Sequence, residues 1–154
     1  MLKASRNPRT GFRADFTYQV TDSGDEIATI NETRLTFDLG GRSYTVHRKG
    51  ILGPEYQLKS GDTIIAAASQ KPFFNNYNLV HYGKEWTFKA VGILAQKFGL
   101  FQGDSQIGTI SSGPITKRLK DITVDLPDEL PHELQVFLLL LLVKVVGHVL
   151  HLAF

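Results

Sequence analysis

The chain of 154 residues contains no cysteine, which excludes disulfide bonds and thiolate metal sites. It also lacks a large excess of charge: seventeen basic and fifteen acidic residues leave a formal net charge of +2 with the histidines neutral. A balance this mild argues against a domain built to bind nucleic acid, and we expect no nucleic-acid partner.

A recognisable catalytic motif is also missing. The serine, histidine and aspartate residues form no nucleophile elbow, phosphate-binding loop or paired-histidine zinc motif. His148 and His151 have a spacing that two metal ligands could use, but no carboxylate lies nearby in the sequence and Lys144 shares their helix face. We interpret them as a polar helix end, and we expect no enzymatic activity, no metal and no cofactor.

Long apolar runs are scarce as well. The longest, Val136 to Val143, has eight residues, whereas a transmembrane helix needs roughly 18 or more. It lies in a helix predicted over about 128–152, and a helix that is apolar on nearly every side must be surrounded by protein or by lipid. The short run and the polar stripe that begins at Lys144 favour protein, with membrane insertion as the alternative.

The rest of the chain, about 12–124, alternates apolar and polar residues in short stretches that predict β-strands. Gly40-Gly41 predicts one tight hairpin turn, and Gly83 is expected to supply the positive φ of a type II′ turn in another. About a dozen strands follow at regular spacing, which favours an all-β barrel or sandwich. No long linker divides the sequence, so we expect one domain over residues 1–154.

A closed barrel has no exposed strand edges, but its interior must be filled, and an apolar helix is a suitable filler. Three segments before that helix make a family resemblance specific: Tyr56 to Ala66, Phe98 to Phe101 and Gln106 to Ile110. With the final helix, they resemble the tubby C-terminal-like superfamily, in particular its LURP-one-related and phospholipid-scramblase branches. The resemblance implies a mainly β (β+α) fold, a closed antiparallel barrel of about twelve strands enclosing a hydrophobic C-terminal α-helix.

The resemblance also implies a link to membrane lipid, since tubby domains bind phosphoinositide headgroups and scramblases are associated with moving phospholipids. We expect a non-enzymatic module that is cytoplasmic and peripheral to the membrane, docking to anionic phospholipid or to another anionic partner. The alternative is a scramblase-like protein whose C-terminal helix inserts in the bilayer. The scramblase calcium site is not carried over, because 117–125 lacks closely spaced oxygen ligands.

Six basic residues are the candidate lipid-binding set, because their side chains could form charge-assisted hydrogen bonds with anionic headgroups. The alternative, structural interpretation is that these residues are solvated charges at strand ends. The oligomeric state is left open. The candidate residues are Arg42, Arg48, Lys49, Lys117, Arg118 and Lys120.

Two further clusters have a functional and a structural interpretation. An aromatic group could line a ligand groove, but aromatic residues on strands are usually core or cross-strand pairs, and we interpret them so. Acidic residues from Asp121 to Glu133 are interpreted as charges that favour a helix start. A small-molecule carrier would need space beside the helix inside the barrel, which the bulk of Leu138 to Leu142 argues against. The aromatic group comprises Phe73, Phe74, Tyr77, Tyr82, Trp86 and Phe88.

Overall fold

A computed structural model gives the fold of the chain. It describes residues 1–8, 11, 14–50, 54–71, 76–91, 97–112 and 121–153, with side chains described only as far as Lys144 in the last range. Twelve antiparallel strands form one closed barrel, and each strand pairs with its neighbours in sequence. The expected barrel is therefore confirmed.

The strands are short and the helix is long. The strands are β1 (Leu2–Arg6), β2 (Thr17–Asp22), β3 (Asp25–Asn31), β4 (Thr36–Leu39), β5 (Arg42–Lys49), β6 (Glu55–Ser60), β7 (Thr63–Gln70), β8 (Asn76–His81), β9 (Lys84–Ala90), β10 (Lys97–Gln102), β11 (Ser105–Ser112) and β12 (Asp121–Asp125), followed by the helix α1 (His132–Ala153).

The barrel has two different ends. At one, which we call the turn end, strands are joined by the two-residue turns 23–24, 40–41, 61–62, 82–83 and 103–104. At the other, the loop end, the connections are longer: 7–16, 32–35, 50–54, 71–75, 91–96 and 113–120. The helix starts at the turn end and runs toward the loop end.

The strand β1 was missed by sequence reasoning. It pairs with β12 on one side and β2 on the other, with Leu2 opposite Val124 and Asp22, and so closes the barrel. Leu2 and Ala4 are its only buried apolar residues, so the alternating pattern that predicts a strand is short. The strand expected from Phe12 begins only at Thr17, because the backbone N–H of Phe16 leaves the ladder and donates to Thr33 Oγ1 at 2.8 Å. Phe12 itself lies outside the described residues.

The helix fills the barrel. Every apolar side chain from Leu134 to Val143 is at most 1% exposed, and all of them belong to the same core cluster as the inward residues of the strands. The expectation that the strands enclose the helix is confirmed. The helix begins at His132 rather than near 128, because Leu130 N–H donates to the Pro127 carbonyl in a separate turn, and the Pro131 carbonyl accepts the first helical bonds.

A bulged hairpin recurs three times in the barrel, once in every four strands. The hairpins β2–β3, β6–β7 and β10–β11 each carry a bulge near the turn end. The extra residue of each bulge is an isoleucine, and the inward pair beside it joins a large residue to a small one. The isoleucines are Ile27, Ile65 and Ile107, and the pairs are Val20 with Ala28, Leu58 with Ala66 and Leu100 with Gly108.

Gly108 breaks this pattern for a steric reason. A Cβ atom at this position would lie 2.7 Å from the carbonyl oxygen of Asp125 and 2.8 Å from Leu126 Cδ2. The chain leaving β12 passes directly over Gly108 on its way to the helix. The equivalent positions Ala28 and Ala66 carry a Cβ. Glycine at position 108 is therefore required by the chain that passes over it and not by the strand.

The turn between β8 and β9 differs from the expected type. Its two central residues are Tyr82 and Gly83, with φ of 46° and 79°. Two positive φ values define a type I′ turn and not a type II′ turn. Tyr82 thus takes a left-handed conformation that Gly, Asn or Asp adopts more readily.

Candidate functional site

The six candidate basic residues do not form one surface. Arg48 and Lys49 are exposed at the last positions of β5, at the loop end, whereas Arg42 begins the same strand at the turn end. Six residue-to-residue steps along an extended strand lead from Arg42 to Arg48, a distance of about 20 Å. The structure therefore brings Arg48 and Lys49 together and separates Arg42 from them. Lys117, Arg118 and Lys120 lie outside the described residues.

The loop end has an excess of basic side chains among the described residues. Eight cations face four carboxylates there, and Arg48, Lys49, Lys71, Lys97 and Lys144 are exposed. The cations are Arg6, Arg34, Arg48, Lys49, Lys71, Lys89, Lys97 and Lys144, and the carboxylates are Asp15, Glu32, Glu55 and Asp121.

The turn end has the opposite charge. Eleven carboxylates face four cations among the described residues of this end. The carboxylates are Asp22, Asp25, Glu26, Asp38, Asp62, Glu85, Asp104, Asp125, Asp128, Glu129 and Glu133, and the cations are Lys3, Arg42, Lys59 and Lys84. The acidic cluster expected from Asp121 to Glu133 is split, because Asp121 begins β12 at the loop end.

Two buried tyrosines lie beneath Arg48. The rings of Tyr56 and Tyr77 are 6.2 Å apart, and both residues are almost fully buried. Burial raises the pKa of each phenol above its ordinary value, while the positive charge of Arg48 opposes that shift in both. Arg48, near the end of β5, therefore lies close enough to these tyrosines for its charge to affect the pKa of both phenols.

Glu32 is a partly buried carboxylate at the loop end. Burial raises the pKa of Glu32, and the charges of Arg6 and Lys144 oppose the shift. Lys144 is the first exposed helix residue after the enclosed stretch. The emerging helix is thus coupled to Glu32 in the β3–β4 connection.

A second carboxylate of the loop end orders the chain before β2. Asp15 accepts hydrogen bonds from Asn31 Nδ2 and from Arg34 Nε, both at 2.9 Å. These two bonds hold the pKa of Asp15 below its ordinary value. Nearby, the guanidinium of Arg6 lies 4.2 Å from the centre of the Phe16 ring.

The turn end contains a cleft of about 450 Å³ between the β8–β9 hairpin and the chain that leads into the helix. Its walls are mainly apolar, with polar groups at the rim. The lining residues are His81, Tyr82, Lys84, Trp86, Gln102, Ile107, Pro127, Glu129, Leu130 and Pro131.

Two aromatic rings and one histidine shape this cleft. Tyr82 is 77% exposed and its ring centre lies 4.4 Å from that of His81, while Trp86 is only 8% exposed. His81 Nδ1 lies 3.1 Å from the Ile65 carbonyl oxygen. Because a carbonyl oxygen can only accept, Nδ1 carries the hydrogen of this bond, and Nε2 is the ring nitrogen left for another partner.

The interpretation of the aromatic group as core is correct for some members and wrong for Tyr82. Tyr77 and Phe88 are fully buried, whereas Tyr82 and Trp86 line the cleft; Phe73 and Phe74 lie outside the described residues. A comparison of two hairpins could have found the cleft. The β8–β9 hairpin has His81-Tyr82-Gly83 where the equivalent β4–β5 hairpin has Leu39-Gly40-Gly41.

Within the part of the chain that the structure describes, no group of three or more His, Asp or Glu side chains is arranged to hold a metal ion. In the same residues, no helix combines the length and the apolar character needed to cross a bilayer. The side chains of His148 and His151 lie outside the described residues.

Comparisons with known proteins found no relative: no family model, no curated protein and no solved structure matches this chain. The resemblance to the tubby C-terminal-like superfamily therefore stays a prediction.

Proposed function

We propose that the chain is a non-enzymatic binding module whose loop end docks to an anionic phospholipid surface. The observation that carries the proposal is the opposite charge of the two barrel ends. Eight cations against four carboxylates at the loop end would attract an anionic leaflet, while the acidic turn end would be repelled and point away.

Ordinary folding requirements explain the acidic end better than the basic one. The helix dipole favours acids near its start, such as Glu133, and cations near its end, but its influence falls off within one turn. Aspartate is also a common turn residue, which suits Asp62 and Asp104. Neither factor requires exposed cations at Arg48, Lys49, Lys71 and Lys97.

The sequences of the loop-end connections add a second argument. Stable peripheral binding usually combines basic charge with apolar side chains that enter the interface. The connecting sequences that lie outside the described residues contain no acid. They do contain both kinds of required residue: the cations Arg9, Arg13, Lys117, Arg118 and Lys120, and the large apolar residues Phe12, Ile51, Leu52, Phe73, Phe74, Ile93, Leu94, Ile115 and Leu119.

The alternative, a scramblase-like protein whose helix inserts in the bilayer, has one supporting observation. The helical backbone continues for nine residues past Lys144, to Ala153. Withdrawal of the whole helix would remove Leu134 to Val143 from the barrel, and each buried apolar side chain contributes about 1.5 to 3 kcal/mol. That sum exceeds the stability of an ordinary domain. We therefore favour docking with the helix in place.

The proposal is tested by sedimentation with vesicles. Wild-type protein is expected to bind vesicles of phosphatidylserine in phosphatidylcholine at low salt, to bind pure phosphatidylcholine weakly, and to dissociate as salt rises. Each basic residue near an anionic surface contributes about 1 kcal/mol. The double variant Arg48→Gln/Lys49→Gln should therefore bind about thirtyfold more weakly.

The matched control is Arg42→Gln/Lys59→Gln, which removes the same charge from the turn end. Its binding should stay within about twofold of wild type, a difference of under 0.5 kcal/mol. Equal losses in both variants would show that net charge and not the loop end governs binding. Absence of binding to anionic vesicles at low salt would refute the proposal. Binding that resists a carbonate wash would favour helix insertion.

A further inference from the structure

The cleft at the turn end plays no part in membrane docking, since it lies at the opposite end of the barrel. Its volume of about 450 Å³ falls within the range typical of small-molecule sites, about 300 to 1,000 Å³. We propose that this cleft binds a small organic cation with a planar apolar body, of the arylalkylamine class.

The walls of the cleft suit a planar apolar body. Trp86, Ile107, Leu130 and two prolines contribute the apolar part of the cleft lining. Leu130 and Trp86 are themselves at least nine-tenths buried, so the walls are fixed by the barrel and by the start of the helix. A rigid apolar slot of this kind favours a ligand that loses little conformational freedom on binding.

Tyr82 gives the cleft an aromatic rim at a conformational cost. Its φ of 46° is disfavoured for a bulky side chain, and glycine occupies the equivalent turn position, Gly40, with φ of 57°. Such strain concentrates at ligand sites, where the side chain is needed for contact. The ring is also 77% exposed, so burial in the core does not explain its presence.

The charge around the cleft selects the sign of the ligand. Glu129 lines the cleft, and the turn end as a whole carries eleven carboxylates against four cations among the described residues. Lys84 is the only cationic side chain in the lining, and it is exposed on the first residue of β9, where it can turn toward solvent. The faces of Tyr82 and Trp86 attract cations as well. An ammonium group is therefore favoured over a carboxylate.

The chain offers a built-in probe, because Trp86 is its only tryptophan. We would titrate the full-length protein with phenethylamine and follow tryptophan emission. A saturable change is expected, with affinity at least about threefold higher than that for the neutral phenethyl alcohol, the range of a weak cation–π contact. Hydrocinnamate, the anionic analogue, should bind more weakly than both.

Two variants place the ligand in the cleft. Tyr82→Asn keeps a residue that tolerates the turn and removes the ring, so phenethylamine affinity should fall by about threefold or more. Glu129→Gln should weaken phenethylamine and leave phenethyl alcohol unchanged. The control Glu85→Gln removes a charge from the same hairpin outside the cleft lining and should have a smaller effect than Glu129→Gln.

Three outcomes would overturn the inference: no change in Trp86 emission at millimolar phenethylamine, equal binding of hydrocinnamate, or full affinity in Tyr82→Asn. A saturable response to a proline-rich peptide without a response to the amine would identify a peptide groove instead. Vesicle binding should be unaltered in Tyr82→Asn, so failure at this cleft is distinguishable from failure of membrane docking.

Discussion

The two ends of this barrel are built from the same strands but differ in chemistry. At the turn end, two-residue turns join the strands, the chain leads from β12 into the helix, and carboxylates dominate the described residues. At the loop end, the connections are longer in sequence, and cations dominate the described residues. The same closed barrel thus presents an acidic end and a basic end, and each end carries its own candidate binding surface.

Helix direction reinforces this separation. The helix start carries a partial positive charge, so Glu133 in the first turn complements the dipole at the acidic end of the barrel. The chain that leaves β12 passes over Gly108 at this end before it enters the helix.

The largest effect should come from shortening a side chain where the helix enters the barrel. Leu134 is fully buried in the first turns of the helix, and Leu134→Ala should lower the free energy of unfolding by about 2 to 5 kcal/mol. At the other end, Lys144→Ala should change it by less than about 0.5 kcal/mol. Urea unfolding measures both. Similar losses in the two variants would show that the ends are not packed differently.

An intermediate effect should come from adding one carbon atom beneath the chain crossing. Gly108→Ala places a Cβ against the Asp125 carbonyl, with only backbone and Leu126 to yield. Overpacking of this kind costs about 1 to 3 kcal/mol. The control at the loop end is Gly11→Ala, where no atom lies within 4 Å of the added Cβ. Thermal unfolding should give a lower Tm for Gly108→Ala than for Gly11→Ala. A Gly108→Ala protein as stable as wild type would contradict the close passage of the chain over Gly108.

The smallest effects should come from two loop-end carboxylates with opposite pKa shifts. Because burial raises the pKa of Glu32, its ionised form destabilises the folded state, so the stability linked to its proton is lost as pH rises through the folded pKa. Glu32→Gln should raise the Tm at neutral pH. This gain should fade as pH falls below the unfolded pKa.

Asp15 provides the comparison of opposite sign. Its lowered pKa adds stability that is present above the unfolded pKa and is lost as pH falls through the folded pKa. Asp15→Asn should therefore lower the Tm at neutral pH and have less effect in acid. Calorimetry across the acid range measures the Tm of Glu32→Gln and of Asp15→Asn. Shifts of the same sign in the two variants would contradict the opposite pKa shifts of the two carboxylates.

Much of the fold was predictable from the sequence because local patterns carry it. Strand alternation and the Gly40-Gly41 turn predicted an all-β barrel or sandwich. The apolar run from Val136 to Val143, together with the family resemblance, predicted the helix-filled barrel that the structure confirms. β1 was missed because its inward residues are only Leu2 and Ala4. Its role depends on pairing with β12, more than a hundred residues away, which no local pattern encodes.

The functional surfaces were less predictable because they depend on which barrel end each residue reaches. Arg42 was grouped with Arg48 by composition, yet strand direction places them at opposite ends. Tyr82 was interpreted as core because strand aromatics usually are, but a left-handed turn exposes it beside Trp86. Both errors arise because the sequence pattern alone does not give the barrel end at which a residue lies or the direction in which a turn residue points.

The most direct test of the account attaches an environment-sensitive fluorophore to each end of the barrel in turn. The chain has no cysteine, so Pro8→Cys at the loop end and Thr63→Cys at the turn end would each be labelled at one place, and both positions are exposed and uncharged. With phosphatidylserine vesicles, the account predicts a blue shift for the label at residue 8 and none for the label at residue 63. Equal shifts at both ends, or a shift at residue 63 alone, would contradict it.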